Sequence, residues 1–176
     1  LVVFDEAYGE YADESYMSGI KYAREGRNVV VLRTFSKIYG LAGLRVGYAL
    51  TTPDIAAAME TVIEPFNVNT LAQVAGVAAL EDKEHIERSW EDNNNGKKYL
   101  YQEFEKMHLD YVATDANFIF VDTGKHSKEV FEELLKQGII IRSGDIFGYP
   151  TFIRVTVGTK EENARFIKGL KKVLGV

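Results

Sequence analysis

The chain has 176 residues, 46% of them hydrophobic and 27% charged, which is enough to bury a core and unlike a disordered or fibrous protein. A net charge of −5 and a pI of about 5.3 argue against a nucleic-acid or membrane-surface binder, and no apolar run reaches the length of a transmembrane helix. Cysteine is absent, which excludes disulfides, thiolate metal sites and cysteine nucleophiles, and fits a reducing, cytoplasmic setting.

The chain opens on an apolar run, Leu1-Val2-Val3-Phe4, which reads as a strand of a parallel sheet buried on both faces. Such a strand needs neighbours that no earlier residues supply, and there is no initiator Met, so a missing N-terminal portion is expected. Asn28–Arg33 reads as a second strand and Leu44–Leu50 as a third. Thr52-Pro53 opens a helix running to about Glu64, with Thr as cap and Pro in the first turn. Pro65-Phe66-Asn67-Val68-Asn69 breaks the pattern before a helix over Leu71–Leu80.

Asp82 to about Met107 reads as a long helix with a kink expected at Asn93-Asn94-Asn95-Gly96, whose helix propensity is poor. Asn117–Val121, Ile139–Arg142 and Phe152–Val157 read as strands. Ser127–Gln137 is an amphipathic helix closed by Gly138, and Thr159-Lys160-Glu161-Glu162 is a capping box that starts a final helix. The alternation predicts an α/β fold. The pattern changes between about Pro65 and Asp82, which divides the chain into a sheet-bearing part, 1–70, and connecting helices with a smaller α/β unit, 71–176.

The densest chemistry lies in Arg33-Thr34-Phe35-Ser36-Lys37-Ile38-Tyr39-Gly40-Leu41-Ala42-Gly43-Leu44-Arg45-Val46-Gly47. A strand ends, a hydroxyl-rich turn presents a lysine, and a second cation follows among glycines. Thr34, Ser36 and Arg45 together suit a phosphate through two hydroxyls and a guanidinium, and Lys37 offers an amine able to form an imine. A lone Ser-Lys would ordinarily be a surface loop. In Phe4-Asp5-Glu6-Ala7-Tyr8, a carboxylate ends the first strand where open α/β sheets bind ligands. On its own such an Asp is more often a cap, and Glu6 has no assigned role. In Phe152-Ile153-Arg154-Val155-Thr156-Val157-Gly158, one cation interrupts an apolar strand and needs a partner, for which a structural salt bridge is the plain alternative. Arg142 ends the neighbouring strand and offers a second cation. Thr123-Gly124-Lys125-His126-Ser127 lacks the upstream glycine of a phosphate loop, and His85, His108 and His126 lack metal-ligand spacing.

The stretch from Thr34 to Gly47 resembles the lysine signature of the class I/II aminotransferases, the fold-type-I enzymes that use pyridoxal 5′-phosphate (PLP). The resemblance implies the end of that fold's large domain, a mixed and mostly parallel sheet, followed by a small C-terminal α/β domain. It implies Lys37 as the Schiff-base lysine and proton shuttle, with Ser36, Arg45 and Thr34 on the cofactor phosphate. Asp5 would face the pyridine nitrogen, Tyr8 the ring 3′-oxygen, and Ala7 would leave room for the ring; Arg154 would bind an anionic group of the substrate. The wider pattern, including Pro65-Phe66-Asn67-Val68-Asn69, Ala116-Asn117-Phe118-Ile119-Phe120-Val121 and Gly138-Ile139-Ile140-Ile141-Arg142-Ser143-Gly144, is similar to the family's histidinol-phosphate branch. There Arg142 and Arg154 would share the substrate phosphate, and the reaction would exchange an amino group with 2-oxoglutarate in histidine biosynthesis, in a cytoplasmic homodimer without nucleic-acid or membrane partners. Branches acting on aromatic amino acids, or decarboxylating threonine phosphate, share the cofactor residues. A fragment unable to bind PLP without upstream residues is the alternative of another class.

Overall fold

The computed structural model describes all 176 residues, which fall into two compact units, Leu1–Trp90 and Glu91–Val176. In the first, β1 (Val2–Asp5) and β2 (Val29–Thr34) run parallel, Val2 opposite Val29 and Asp5 opposite Leu32, and β3 (Gly47–Leu50) lies antiparallel on the other side of β2. A parallel pair requires a crossover, which includes a turn at Gly9–Tyr11 and the short helix α1 (Ile20–Arg24), neither evident from the hydropathy pattern. The central strand β2 buries Val29, Val30 and Val31.

β1 departs from expectation. Leu1, Val2 and Val3 are exposed, because β1 is an edge of the order β1-β2-β3 and has no strand on its far side. Apolar composition marks what a strand can bury, and the neighbours present decide whether it does. The third strand also starts later than Leu44, since Ala42–Leu44 form a 3-10 turn and Arg45 has a left-handed φ of 54°. Two helices follow, α2 (Pro53–Glu60) and α3 (Thr70–Glu81). α3 buries Ala72 and Gly76, with Gly76 against the Phe35 ring.

α4 (Lys83–Lys106) runs through the division between the units without a break. No break occurs at 93–96, because packing overrides propensity. Asn93 is buried and donates to the Ala116 carbonyl. Gly96 sits where a Cβ would collide with Val157 Cγ1, so the helix can approach only at a glycine.

The second unit is an antiparallel sheet in the order β4-β5-β7-β6 (Tyr111–Val112, Phe118–Asp122, Phe152–Thr156 and Arg142–Ser143), with α5 (Ser127–Leu135) and α6 (Lys160–Leu174). Strict alternation puts Ile119 and Val121 of β5, and Ile153 and Val155 of β7, on the core face with Leu100, Phe104, Val130, Leu134 and Leu170. Each of these side chains contributes about 1.5–3 kcal/mol by burial. The strand expected over Ile139–Arg142 shrinks to Arg142–Ser143. Gly138 has φ 70° and the Ile139 N–H still bonds the Leu134 carbonyl, so residue 139 belongs to the helix ending. The capping box of α6 is present, Thr159 accepting from the Glu162 N–H and Glu162 from the Thr159 N–H. No helix is long and apolar enough to cross a membrane.

The first unit has a buried ionic knot. Glu6, with its side chain 1% exposed, accepts from Arg33 Nη2 at 2.6 Å, from the Ser18 hydroxyl and from the Gly19 N–H, while Arg33 Nη1 reaches Glu10 at 2.7 Å. Burial pushes the Glu6 carboxyl up, but the Gly19 N–H, Ser18 and Arg33 outweigh it, and its pKa lies below the ordinary 4.5. A carboxylate with a depressed folded-state pKa adds stability above its unfolded pKa and loses it as pH falls through the folded value. Glu6→Ala is therefore expected to destabilise the protein by about 3 kcal/mol at neutral pH. The gap between wild type and variant should close on acidification below pH 4.5, measured by denaturant melts across pH. A gap independent of pH would mean that Glu6 contributes shape rather than charge.

Candidate active site

The parallel pair directs two stretches toward one edge of the first sheet. β1 ends at Asp5, and Glu6 and Asp5, as successive residues, point to opposite sides. Glu6 takes the inward place with Arg33, leaving Asp5 exposed, its Oδ1 accepting only from the Ala7 N–H at 3.1 Å. Tyr8 follows, half-buried.

β2 ends at Thr34, and the loop beyond it also divides into buried and accessible side chains. Phe35 and Ile38 are buried at 6% and 2% exposure, so they anchor the loop while Ser36 and Lys37 stay accessible. The Thr34 hydroxyl oxygen accepts from the Ser36 N–H at 3.0 Å, and the Gly40 N–H bonds the Lys37 carbonyl. Gly40 has φ 71°, a turn that favours glycine. Lys37 Nζ lies 5.1 Å from the centre of the Tyr8 ring, so the structure brings these two candidates together. Arg45 Nη1 lies 3.5 Å from Ser36 Oγ and donates to the Ala42 carbonyl at 2.8 Å.

The contrast with Arg33 is informative. Arg33 is saturated by Glu6 and Glu10, whereas neither Lys37 nor Arg45 has a carboxylate partner, and Asp5 has no cation. An amine, a guanidinium and two hydroxyls on one loop, with an unpaired carboxylate ending the adjacent parallel strand, suit an aldehyde-bearing phosphate ester with a basic ring nitrogen. PLP is such a group, and the donor set fits it. A cleft of about 820 Å³ in the same unit, lined by Glu10, Asp13, Lys83 and Trp90, includes none of the candidates.

Two contributors carried no sequence signal. Glu6, without an assigned role, is the main partner of Arg33. His85, which lacks metal-ligand spacing, holds the lysine loop. Its Nε2 lies 2.9 Å from the Ile38 carbonyl, one residue past Lys37, and since a carbonyl only accepts, Nε2 carries the hydrogen. A single His in an amphipathic helix gives no hint of such a contact.

In the second unit Arg142 and Arg154 face each other across β6 and β7 as register partners. Partners in register share a sheet face, and with Ile153 and Val155 in the core, this is the face away from it. Phe118, Phe120 and Phe152 lie on the same face; Arg154 stacks over the Phe118 ring at 4.9 Å. Neither arginine has a carboxylate partner, so the salt bridge considered for Arg154 is absent.

Comparison with known proteins agrees with the chemistry. The family described as "Aminotransferase class I and II" matches residues 1–170. The histidinol-phosphate aminotransferase of Moorella thermoacetica is 57% identical over 176 residues, covering 99% of this chain and 46% of that protein. Histidinol-phosphate aminotransferase 2 of Carboxydothermus hydrogenoformans is 52% identical, covering 100% and 49%. The solved structure of histidinol-phosphate aminotransferase from Sinorhizobium meliloti, in complex with pyridoxal-5′-phosphate, superposes with a TM-score of 0.90 at 30% identity, covering 99% of this chain and 49% of that one. The chain thus spans about half the length of the curated relatives it matches. The lysine loop, the α/β architecture and a match over nearly every residue lead to one assignment: the chain belongs to the class I and II aminotransferases.

Proposed function

We propose that this chain carries the lysine-bearing part of a PLP-dependent aminotransferase that exchanges an amino group between histidinol phosphate and 2-oxoglutarate in histidine biosynthesis. The observation that carries it is the stretch from Thr34 to Arg45, where the Thr34 and Ser36 hydroxyls are followed by an uncompensated Lys37 and Arg45 beyond a parallel strand pair. The names of the relatives support the substrate.

PLP, when bound, supplies an aldehyde carbon that captures amines and a pyridine ring that draws electrons from the substrate carbon bearing the amine. The residues of this chain do the rest. Lys37 Nζ would hold the cofactor covalently and would move a proton off the substrate's amine-bearing carbon. Arg45, Ser36 and Thr34 would hold the cofactor phosphate by charge-assisted hydrogen bonds. Asp5 would keep the proton on the pyridine nitrogen, Tyr8 would donate to the ring 3′-oxygen, and Ala7 would leave space beside the ring. Arg142 and Arg154 bind the substrate phosphate.

Residues 1–70 are proposed as the end of the large, PLP-binding domain, and 71–176 as connecting helices and the small domain. That division concerns the longer protein, whereas the boundary after Trp90 concerns contacts within this chain. A cytoplasmic homodimer is proposed; the exposed apolar side chains Phe66, Leu71, Val74 and Val77 support a protein partner surface.

Borohydride reduction of the full-length holoprotein followed by peptide mapping tests the assignment. A pyridoxyl group on Lys37 is expected. Label on another lysine, with Lys37 unmodified, would overturn it.

A further inference from the structure

Asn69 belongs to the Pro65–Asn69 segment, to which the proposed function gives no task. Its side chain does two things at once. Oδ1 accepts from the Ala72 N–H at 2.9 Å, which makes Asn69 the N-cap of α3, and Nδ2 donates to the Leu44 carbonyl at 3.2 Å. The pair of bonds fixes the amide's orientation, because only its oxygen can accept and only its nitrogen can donate.

The Leu44 carbonyl is part of the peptide whose nitrogen belongs to Arg45. Arg45 has φ 54°, one of three non-glycine residues of the chain at positive φ. A side-chain-bearing residue keeps that conformation only where its surroundings over-determine it. The Phe35 N–H bonds the Val46 carbonyl on one side, and the Arg45 guanidinium folds back onto the Ala42 carbonyl. Asn69 restrains the Leu44–Arg45 peptide from outside the loop, and α3 is itself seated on the loop through Gly76 against Phe35.

We infer that Asn69 is a positioning residue for Arg45, holding the Leu44–Arg45 peptide so that the guanidinium lies beside Ser36. The inference rests on the reading of Arg45 as a ligand of the cofactor phosphate, and sets a second task for a residue that otherwise only caps a helix.

The two tasks separate by substitution. Asn69→Ser retains a good N-cap but is too short to reach Leu44, whereas Asn69→Ala loses both bonds. Full-length apoprotein is titrated with pyridoxal 5′-phosphate and with pyridoxal, which lacks the phosphate, and its melting temperature is measured. For Asn69→Ser, affinity for pyridoxal 5′-phosphate should fall about tenfold while affinity for pyridoxal changes less than about twofold, the loss being that of one charge-assisted contact. The apoprotein should melt as wild type does, and Asn69→Ala should melt lower. Arg45→Ala is the control and must itself lose the preference for the phosphorylated ligand; if it does not, the phosphate reading fails and the inference falls with it. If Arg45→Ala loses that preference and Asn69→Ser keeps wild-type affinity, the inference alone is wrong. Equal losses on both ligands would reduce Asn69 to a structural role. Should Asn69→Ser fail to fold, Asn69→Thr, also a cap too short to reach, carries the same comparison.

Discussion

Lys37→Ala is expected to lower transamination by at least about a thousandfold in the full-length protein, measured as kcat under saturating substrate with PLP in excess. Two losses coincide at one atom. On the proposed roles, without Nζ the cofactor would no longer be held covalently, and no group would remain to move the proton from the substrate carbon. A positioned acid–base group alone contributes about a hundred- to ten-thousandfold. The burial of Phe35 and Ile38 on either side makes the variant a clean test, because the loop's anchors are untouched and the Lys37 side chain is not part of a salt bridge. A variant that folds like wild type and loses less than about tenfold would remove Lys37 from the chemistry. Added methylamine or another small amine should restore part of the rate if the missing group is the amine.

Replacing Arg142 or Arg154 with Ala is expected to cost about 1.5–3 kcal/mol on histidinol phosphate, a ten- to hundredfold fall in kcat/KM. The geometry explains why. Two arginines occupy directly paired positions on neighbouring strands, neither with a carboxylate partner, and like charges at paired positions repel. An anion bridging the pair relieves the repulsion and gains charge-assisted bonds from both. Histidinol, which lacks the phosphate, should show a much smaller change. The thermal stability of Arg142→Ala apoprotein should equal or slightly exceed that of wild type, because one of two repelling charges is gone. Equal penalties on both substrates, with a lowered melting temperature, would show that these arginines serve the sheet rather than the substrate. Wild-type protein active on phenylalanine or threonine phosphate, and inert on histidinol phosphate, would move the substrate to a sister branch of the family.

The proposed cofactor residues were legible because they occupy two short stretches, Asp5–Tyr8 and Thr34–Arg45, in which spacing along the chain sets spacing in space. The strand over Asn117–Val121 and the capping box at Thr159 were readable for the same reason: each depends on residues within a turn or two of one another. Contacts between distant segments were not readable. The resemblance puts Arg142 and Arg154 on one anion, but their direct pairing is a matter of register between two strands, and a slip of one residue would have put them on opposite faces. Composition suggested a kink at Asn93–Gly96, but Val157 and Asn163 pack against Gly96 and the helix continues.

The same division runs through the candidate site itself. The amine, the hydroxyls, the guanidinium and the carboxylate are present in the sequence as a local arrangement of residue types. Only folding decided which of the neighbouring carboxylates stays free. Glu6 is drawn inward onto Arg33, Ser18 and Gly19, and Asp5, its neighbour in the chain, is left exposed. Folding also brought His85 to the Ile38 carbonyl and Asn69 to that of Leu44, across 47 and 25 residues of sequence. A backbone carbonyl within a loop has no side-chain identity to announce what it needs, so the donor that satisfies it is specified by packing and not by pattern.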